Sequence, residues 1–255
     1  MSATPKPVVG SHHCAHRAAM QHNGAMDEAI FEIPLWWELL AVGVGALMGA
    51  LFASRFKDHH LDLLGVSIIG VSTGLGGGVL RDLVLSVPVA TFQSNWYLIV
   101  AVSASLLGML LERLLKRLNT LFTVVDALNL GLFAALGATK GIAFGVPAVP
   151  AALLGVITAV GGSILRDVLM VTPVELLKVG PLYATAAIIG TTTLVTTTTI
   201  GVPFLPAAIT CVVVTFVARM VGFTFGLRLP EQRRLGPLRR PSRLGRPEGP
   251  DAPSA

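Results

Sequence analysis

Charge is scarce in this sequence. Asp, Glu, Lys and Arg make up only 13% of its 255 residues, against roughly 25% in a typical soluble domain. With 53% hydrophobic residues and a mean hydropathy of +0.73, that shortage excludes an ordinary soluble enzyme and points to an integral membrane protein. Cysteine is scarce as well. Cys14 stands in a polar tail and Cys211 in an apolar run, so no disulfide framework is read. The signatures G-x-S-x-G, H-E-x-x-H and the P-loop are missing, so neither enzymatic activity nor a cofactor is expected. The first 35 residues hold Lys6 and Arg17 but no continuous apolar core before Ile30, and no signal peptide is expected.

What is there is a series of apolar runs. Seven can be marked, at roughly 35–54, 63–81, 95–111, 121–139, 148–166, 182–200 and 202–219. A helix needs about 20 apolar residues to cross a hydrocarbon core of roughly 30 Å. Barrel strands would alternate in character, and these runs are continuous, so they read as helices. Lys and Arg are unevenly placed. Arg55 and Lys57 follow the first run, Arg113, Lys116 and Arg117 the third, and Lys178 the fifth. Residues 219–255 hold eight arginines against three acids, which accounts for the net charge of +5. The opposite loops hold little beyond Lys140. The positive-inside rule then predicts a plasma (inner) membrane protein with its N-terminus outside and its C-terminus cytoplasmic. The basic tail reads as a contact for anionic lipid headgroups, not for nucleic acid.

The chain also repeats itself. Gly70–Val89 matches Gly155–Val174 at ten of twenty positions, with "TGLGGGVLRD" answered by "TAVGGSILRD". The same offset of 85 pairs "ALFASR" (Ala50–Arg55) with "ALGATK" (Ala135–Lys140) and makes Arg55 the partner of Lys140. Chance similarity between apolar helices explains shared Leu and Val but not a shared G-G-x-x-L-R-D and Pro. Three spans per copy force the second copy to run upside down, as in many membrane transport proteins. The expected architecture is an all-α integral membrane protein with seven transmembrane helices, two inverted three-helix repeats plus a seventh helix. It divides into a disordered N-terminal tail (1–34), a first repeat (35–120), a second, inverted repeat (121–200), a seventh helix (201–222) and a basic, disordered C-terminal tail (223–255).

Three glycines in a row, Gly76–Gly78, weaken a helix by about 1 kcal/mol each relative to Ala. They mark a point where it can bend or unwind and present carbonyls or amides to an ion. Close helix packing is the competing explanation. Arg81 and Asp82 do not face each other on an ideal helix, so the repeat suggests pairing Arg81 with Asp167 and Arg166 with Asp82. Intramembrane charges are functional by default, although snorkelling from a helix end is the plainer reading. Asp126 and Lys140 are candidates for an entrance or gate, with helix-end and interfacial roles as alternatives. The cluster "SHHCAH" (Ser11–His16) lacks a metal site's spacing and frame, so no metal is expected. His59 and His60 read as solvated loop residues, and the run Thr191–Thr199 as hydroxyls bonded to their own helix.

The doubled "GLGGGVLRDLVL…PV" and "AVGGSILRDVLM…PV", on seven spans in inverted halves, resembles the prokaryotic trimeric intracellular cation channels, also catalogued as a two-copy glycine-transporter-type domain family. The resemblance covers about residues 36–222. It implies a homotrimer with one pore in each protomer, where kinked second and fifth helices meet and a monovalent cation such as K⁺ or Na⁺ passes. Carried over by position, the pore motif would be Gly76, Gly77, Gly78, Arg81 and Asp82 with Gly161, Gly162, Ser163, Arg166 and Asp167. The shared Thr73 and Thr158 complete the candidate pathway. Ser163 departs from the pattern, standing where a third glycine would be. Inverted repeats with broken helices suit a secondary transporter of a small zwitterion such as glycine equally well, and the residues alone leave that alternative open.

Overall fold

The computed structural model describes residues 33–55, 61–115, 119–174 and 183–226. Both tails, and the loop with His59 and His60, lie outside them. Among the described residues seven α-helices follow one another: α1 Leu35–Arg55, α2 Leu63–Val84, α3 Asn95–Leu115, α4 Asn119–Ala143, α5 Ala148–Leu169, α6 Tyr183–Thr199 and α7 Phe204–Thr224. A 3-10 turn, Ala90–Phe92, leads from α2 into α3. Each helix falls on one of the seven apolar runs. Five of them, α1, α2, α4, α5 and α7, are long and apolar enough to cross a membrane. The large apolar side chains left on the outer surface, such as Leu110 on α3 and Val149 on α5, belong on a lipid-facing wall.

The helix ends are written locally. Asp62 caps α2, its carboxylate accepting the Gly65 N–H at 2.7 Å. Pro147 and Pro203 open α5 and α7. Helices α4 and α6 stop at Gly145 and Gly201, both with positive φ. Helices α2 and α5 end alike without glycine. Ser86 (φ 55°) and Val171 (φ 51°) take the left-handed conformation. The Val87 and Thr172 amides then bond back to the Asp82 and Asp167 carbonyls, and a proline follows one residue later.

Helix α1 packs on α2 and α3, helix α4 packs on α5, α6 and α7, and the two groups meet through α2 against α5 and α1 against α4. Small residues set the distances. A Cβ at Gly49 would stand 2.3 Å from Thr73 Oγ1, and one at Gly137 would stand 2.4 Å from Thr158 Oγ1. Gly70 lies against the Ala46 carbonyl as Gly155 lies against that of Ala134. These matched contacts correct the sequence register. Helices α2 and α5 correspond at 85 residues, but α1 and α4 correspond at 88. The counterpart of Lys140 is therefore Phe52, not Arg55, and the counterpart of Asp126 is Glu38. Three residues are nearly one helical turn, so the slip keeps the same face inward and is hard to see in apolar sequence.

Candidate functional site

The site begins where α2 crosses α5. A Cβ on Gly77 would stand 2.3 Å from the Thr158 carbonyl oxygen, and one on Gly162 would stand 2.2 Å from that of Thr73. Gly161 meets Leu80 and Gly76 meets Leu165. Helical hydrogen bonding runs unbroken through both glycine clusters. This corrects the expected unwinding. Gly76, Gly77, Gly161 and Gly162 let two helix backbones touch, and neither helix opens to present free carbonyls. Thr73 and Thr158 donate their hydroxyls to Ile69 and Leu154 of their own helices, each at 2.7 Å. Gly78 is different, with no atom within 4 Å of an added Cβ. Ser163 donates to the Val160 carbonyl at 2.8 Å and lies 3.3 Å from the Tyr183 hydroxyl, so its extra oxygen ties α5 to α6.

Since Gly77 meets Thr158 and Gly162 meets Thr73, the two helices run antiparallel. Arg81 and Asp167 then lie at opposite ends of the crossing, separated along α2 by about 10 residues, or about 15 Å. The expected cross-pairs between repeats are therefore not formed. Each arginine turns to its own neighbour. Arg81 Nε lies 2.8 Å from Asp82 Oδ1, and Arg166 Nη2 lies 2.8 Å from Asp167 Oδ1. Adjacent Cα atoms point about 100° apart, but the long guanidinium arm wraps around the helix and closes that gap.

Asp82 anchors the larger cluster. It also accepts Lys140 Nζ at 2.9 Å and the Ala90 amide at 2.9 Å. Arg81 reaches Glu38 at 3.3 Å, and Glu38 accepts the Tyr97 hydroxyl. Two cations and two carboxylates from three helices thus meet with no net charge, and Tyr97 joins them from a fourth. Arg81 and Asp82 are almost wholly buried, while Lys140 stays 15% exposed. Lys140 borders a cavity of about 430 Å³ with Glu38, Tyr97 and Gln93. A second, smaller space, a slot of about 20 Å³, shares Glu38, Tyr97 and Ala90 with it and is lined also by Gly78, Leu75, Val42 and Phe133.

At the other end, Arg166 stacks over the Phe52 ring at 3.7 Å. Asp126 is buried against Arg219 of α7 at 3.2 Å, and Arg219 stacks over Tyr183. This corrects the count of tail arginines, since Arg219 sits inside the helix bundle and seven remain beyond it.

Sequence reasoning passed over Glu38, Tyr97, Phe133, Tyr183 and Arg219. Glu38 and Arg219 had a readable signal, being charges inside apolar runs. The two tyrosines and Phe133 had none.

A family model described as glycine transporter matches residues 35–113 and 123–199. The inner membrane protein YadS of Escherichia coli (strain K12) is 36% identical over 200 residues, covering 76% of this chain and 94% of its own. A membrane protein of Vibrio cholerae is 34% identical over 195 residues, covering 76% and 80%. The solved trimeric intracellular cation channel orthologue from Rhodobacter sphaeroides superposes with a TM-score of 0.70 at 30% identity, over 76% of this chain and 98% of that one.

Proposed function

We propose a cation channel, from the premise that this chain belongs to the family described as glycine transporter, that of the trimeric intracellular cation channels. It is a multi-pass membrane protein, as its apolar helices and its relatives indicate. The path runs within one protomer, from the cavity beside Lys140 through the slot at Gly78 to the crossing of α2 and α5. The observation that carries this reading is that Lys140 and Glu38 line that cavity while pairing with Asp82 and Arg81 of the buried charge cluster. Thr73, Gly76, Gly77, Thr158, Gly161, Gly162 and Ser163 hold the crossing together, and Arg81, Asp82 and Lys140 stand at its mouth. Arg166 and Asp167 mark the opposite mouth.

The assembly is a homotrimer by analogy with the solved relative, and K⁺ or another monovalent cation is the permeant ion this reading takes. The two three-helix units are inverted copies. The antiparallel α2–α5 contact and the matched glycine contacts support that arrangement. The seven arginines after Arg219 favour a cytoplasmic C-terminus against anionic lipid, with the N-terminus outside. A transporter for a small zwitterion is the second reading, favoured by the family's description. Against it, Asp82 already holds Arg81, Lys140 and the Ala90 amide, which leaves little for a substrate ammonium. Proteoliposomes separate the two. The channel reading expects uncoupled K⁺ efflux down its gradient and no saturable uptake of labelled glycine. Saturable glycine uptake without K⁺ efflux would replace it with the transporter.

A further inference from the structure

We propose that Phe133 is the gate of the path, a ring from α4 that closes the slot at the helix crossing and must swing aside for an ion to pass. The inference rests on the channel reading and adds a residue outside the glycine and charge motifs.

Three observations carry it. The first is where the ring lies. Its Cε2 atom is 3.0 Å from the point where a Cβ on Gly45 would stand, and its Cδ1 atom is 3.5 Å from the corresponding point on Gly77. Phe133 thus fills space vacated by glycines on α1 and α2, beside the Thr158 carbonyl that Gly77 touches. The second is its asymmetry. In the contact register of 88, the counterpart of Phe133 is Gly45 itself. Two equivalent positions hold one large ring and one missing side chain, so a single residue does the closing.

The third is what lies on either side. Toward the mouth, Phe133 lines the slot of about 20 Å³ with Leu136, Leu75 and Gly78. A water needs at least about 10–15 Å³ of such volume, so the path narrows there to one water or so. Past the ring, Asn129 Oδ1 is buried with no hydrogen-bond partner and points at the Gly45–Gly74 contact. An unpartnered buried amide oxygen asks for a ligand, and a carbonyl-type oxygen is the kind that replaces water around a monovalent cation. A dry aromatic constriction followed by a free carbonyl oxygen is the order a dewetting gate needs.

The test is K⁺ current through the full-length protein in planar bilayers. It compares wild type with Phe133→Ala, Phe133→Leu, Gly45→Ala and Asn129→Leu, each first checked for a monodisperse peak in detergent. Phe133→Ala should raise open probability about tenfold or more, with Phe133→Leu between it and wild type. Leu keeps most of the volume, so it carries the test if the Ala variant fails to fold. Gly45→Ala, by wedging the ring, should lower open probability. Asn129→Leu should lower unitary current. Currents from a silent wild type on Phe133→Ala alone would support the gate directly. If wild type conducts and both Phe133 variants gate like it, the gate is wrong and the channel stands. If no variant conducts at all, the channel reading has failed, and the gate with it. Unchanged unitary current in Asn129→Leu would remove the amide from the path.

Discussion

At the scale of single residues, the site is a set of charges that neutralise one another in a place where charge is expensive. Removing one member of a buried pair leaves the other unpaired, which typically costs about 3–5 kcal/mol. Glu38→Gln and Arg81→Gln should therefore each lower stability in detergent strongly, and the double variant should lose much less than their sum, because the two groups touch. Arg81→Gln with Asp167→Asn should instead add to within about 0.5 kcal/mol, since these groups lie at opposite ends of the crossing. Thermal unfolding followed by size-exclusion chromatography reads both cycles. Strong coupling between Arg81 and Asp167 would contradict the antiparallel geometry. The need for paired intramembrane charges was legible in the sequence, and the partners were not. Which arginine meets which aspartate depends on the direction in which two helices cross, and a residue string carries no such direction. Glu38 and Tyr97 come from α1 and α3, and the motif carries no sign of what those helices place opposite it.

At the scale of elements, the glycine cluster divides into two functions that its sequence makes look like one. Gly77 and Gly162 are contact points, where a single methyl would collide with a backbone carbonyl. Gly78 faces open space and lines the slot. Gly77→Ala and Gly162→Ala should lower the yield of folded protein, whereas Gly78→Leu should fold and cut K⁺ flux at least about tenfold. Normal folding of Gly77→Ala together with unchanged flux in Gly78→Leu would reverse this assignment. Helix termini offer a second test. A β-branched residue held at positive φ is strained by roughly 1–2 kcal/mol, and Val171 sits at 51° with an exposed side chain. Val171→Gly should raise stability by about 1 kcal/mol, seen as a higher melting temperature. A lower one would mean that the valine makes a contact not apparent in one protomer. The seven helices themselves were legible, because long continuous apolar runs leave the backbone few other ways to satisfy its hydrogen bonds. The register between α1 and α4 was not, since a slip of nearly one turn leaves the hydrophobic pattern intact.

At the scale of the whole molecule, topology and transport remain to be joined. The chain carries a convenient probe, for it has two cysteines and Cys211 is fully buried in α7. With the N-terminus outside, a membrane-impermeant maleimide should label Cys14 on intact cells, and Cys14→Ser should abolish the signal. Labelling only after permeabilisation would turn the protein over. The central claim is that cations pass through this fold without coupling. Single-channel recording of the purified protein in a planar bilayer, first in symmetric K⁺ and then across a K⁺ gradient, tests it most directly. The account predicts discrete unitary currents that reverse near the K⁺ equilibrium potential. Currents that reverse at the anion potential would contradict it, as would silence from both wild type and Phe133→Ala alongside saturable glycine uptake into liposomes.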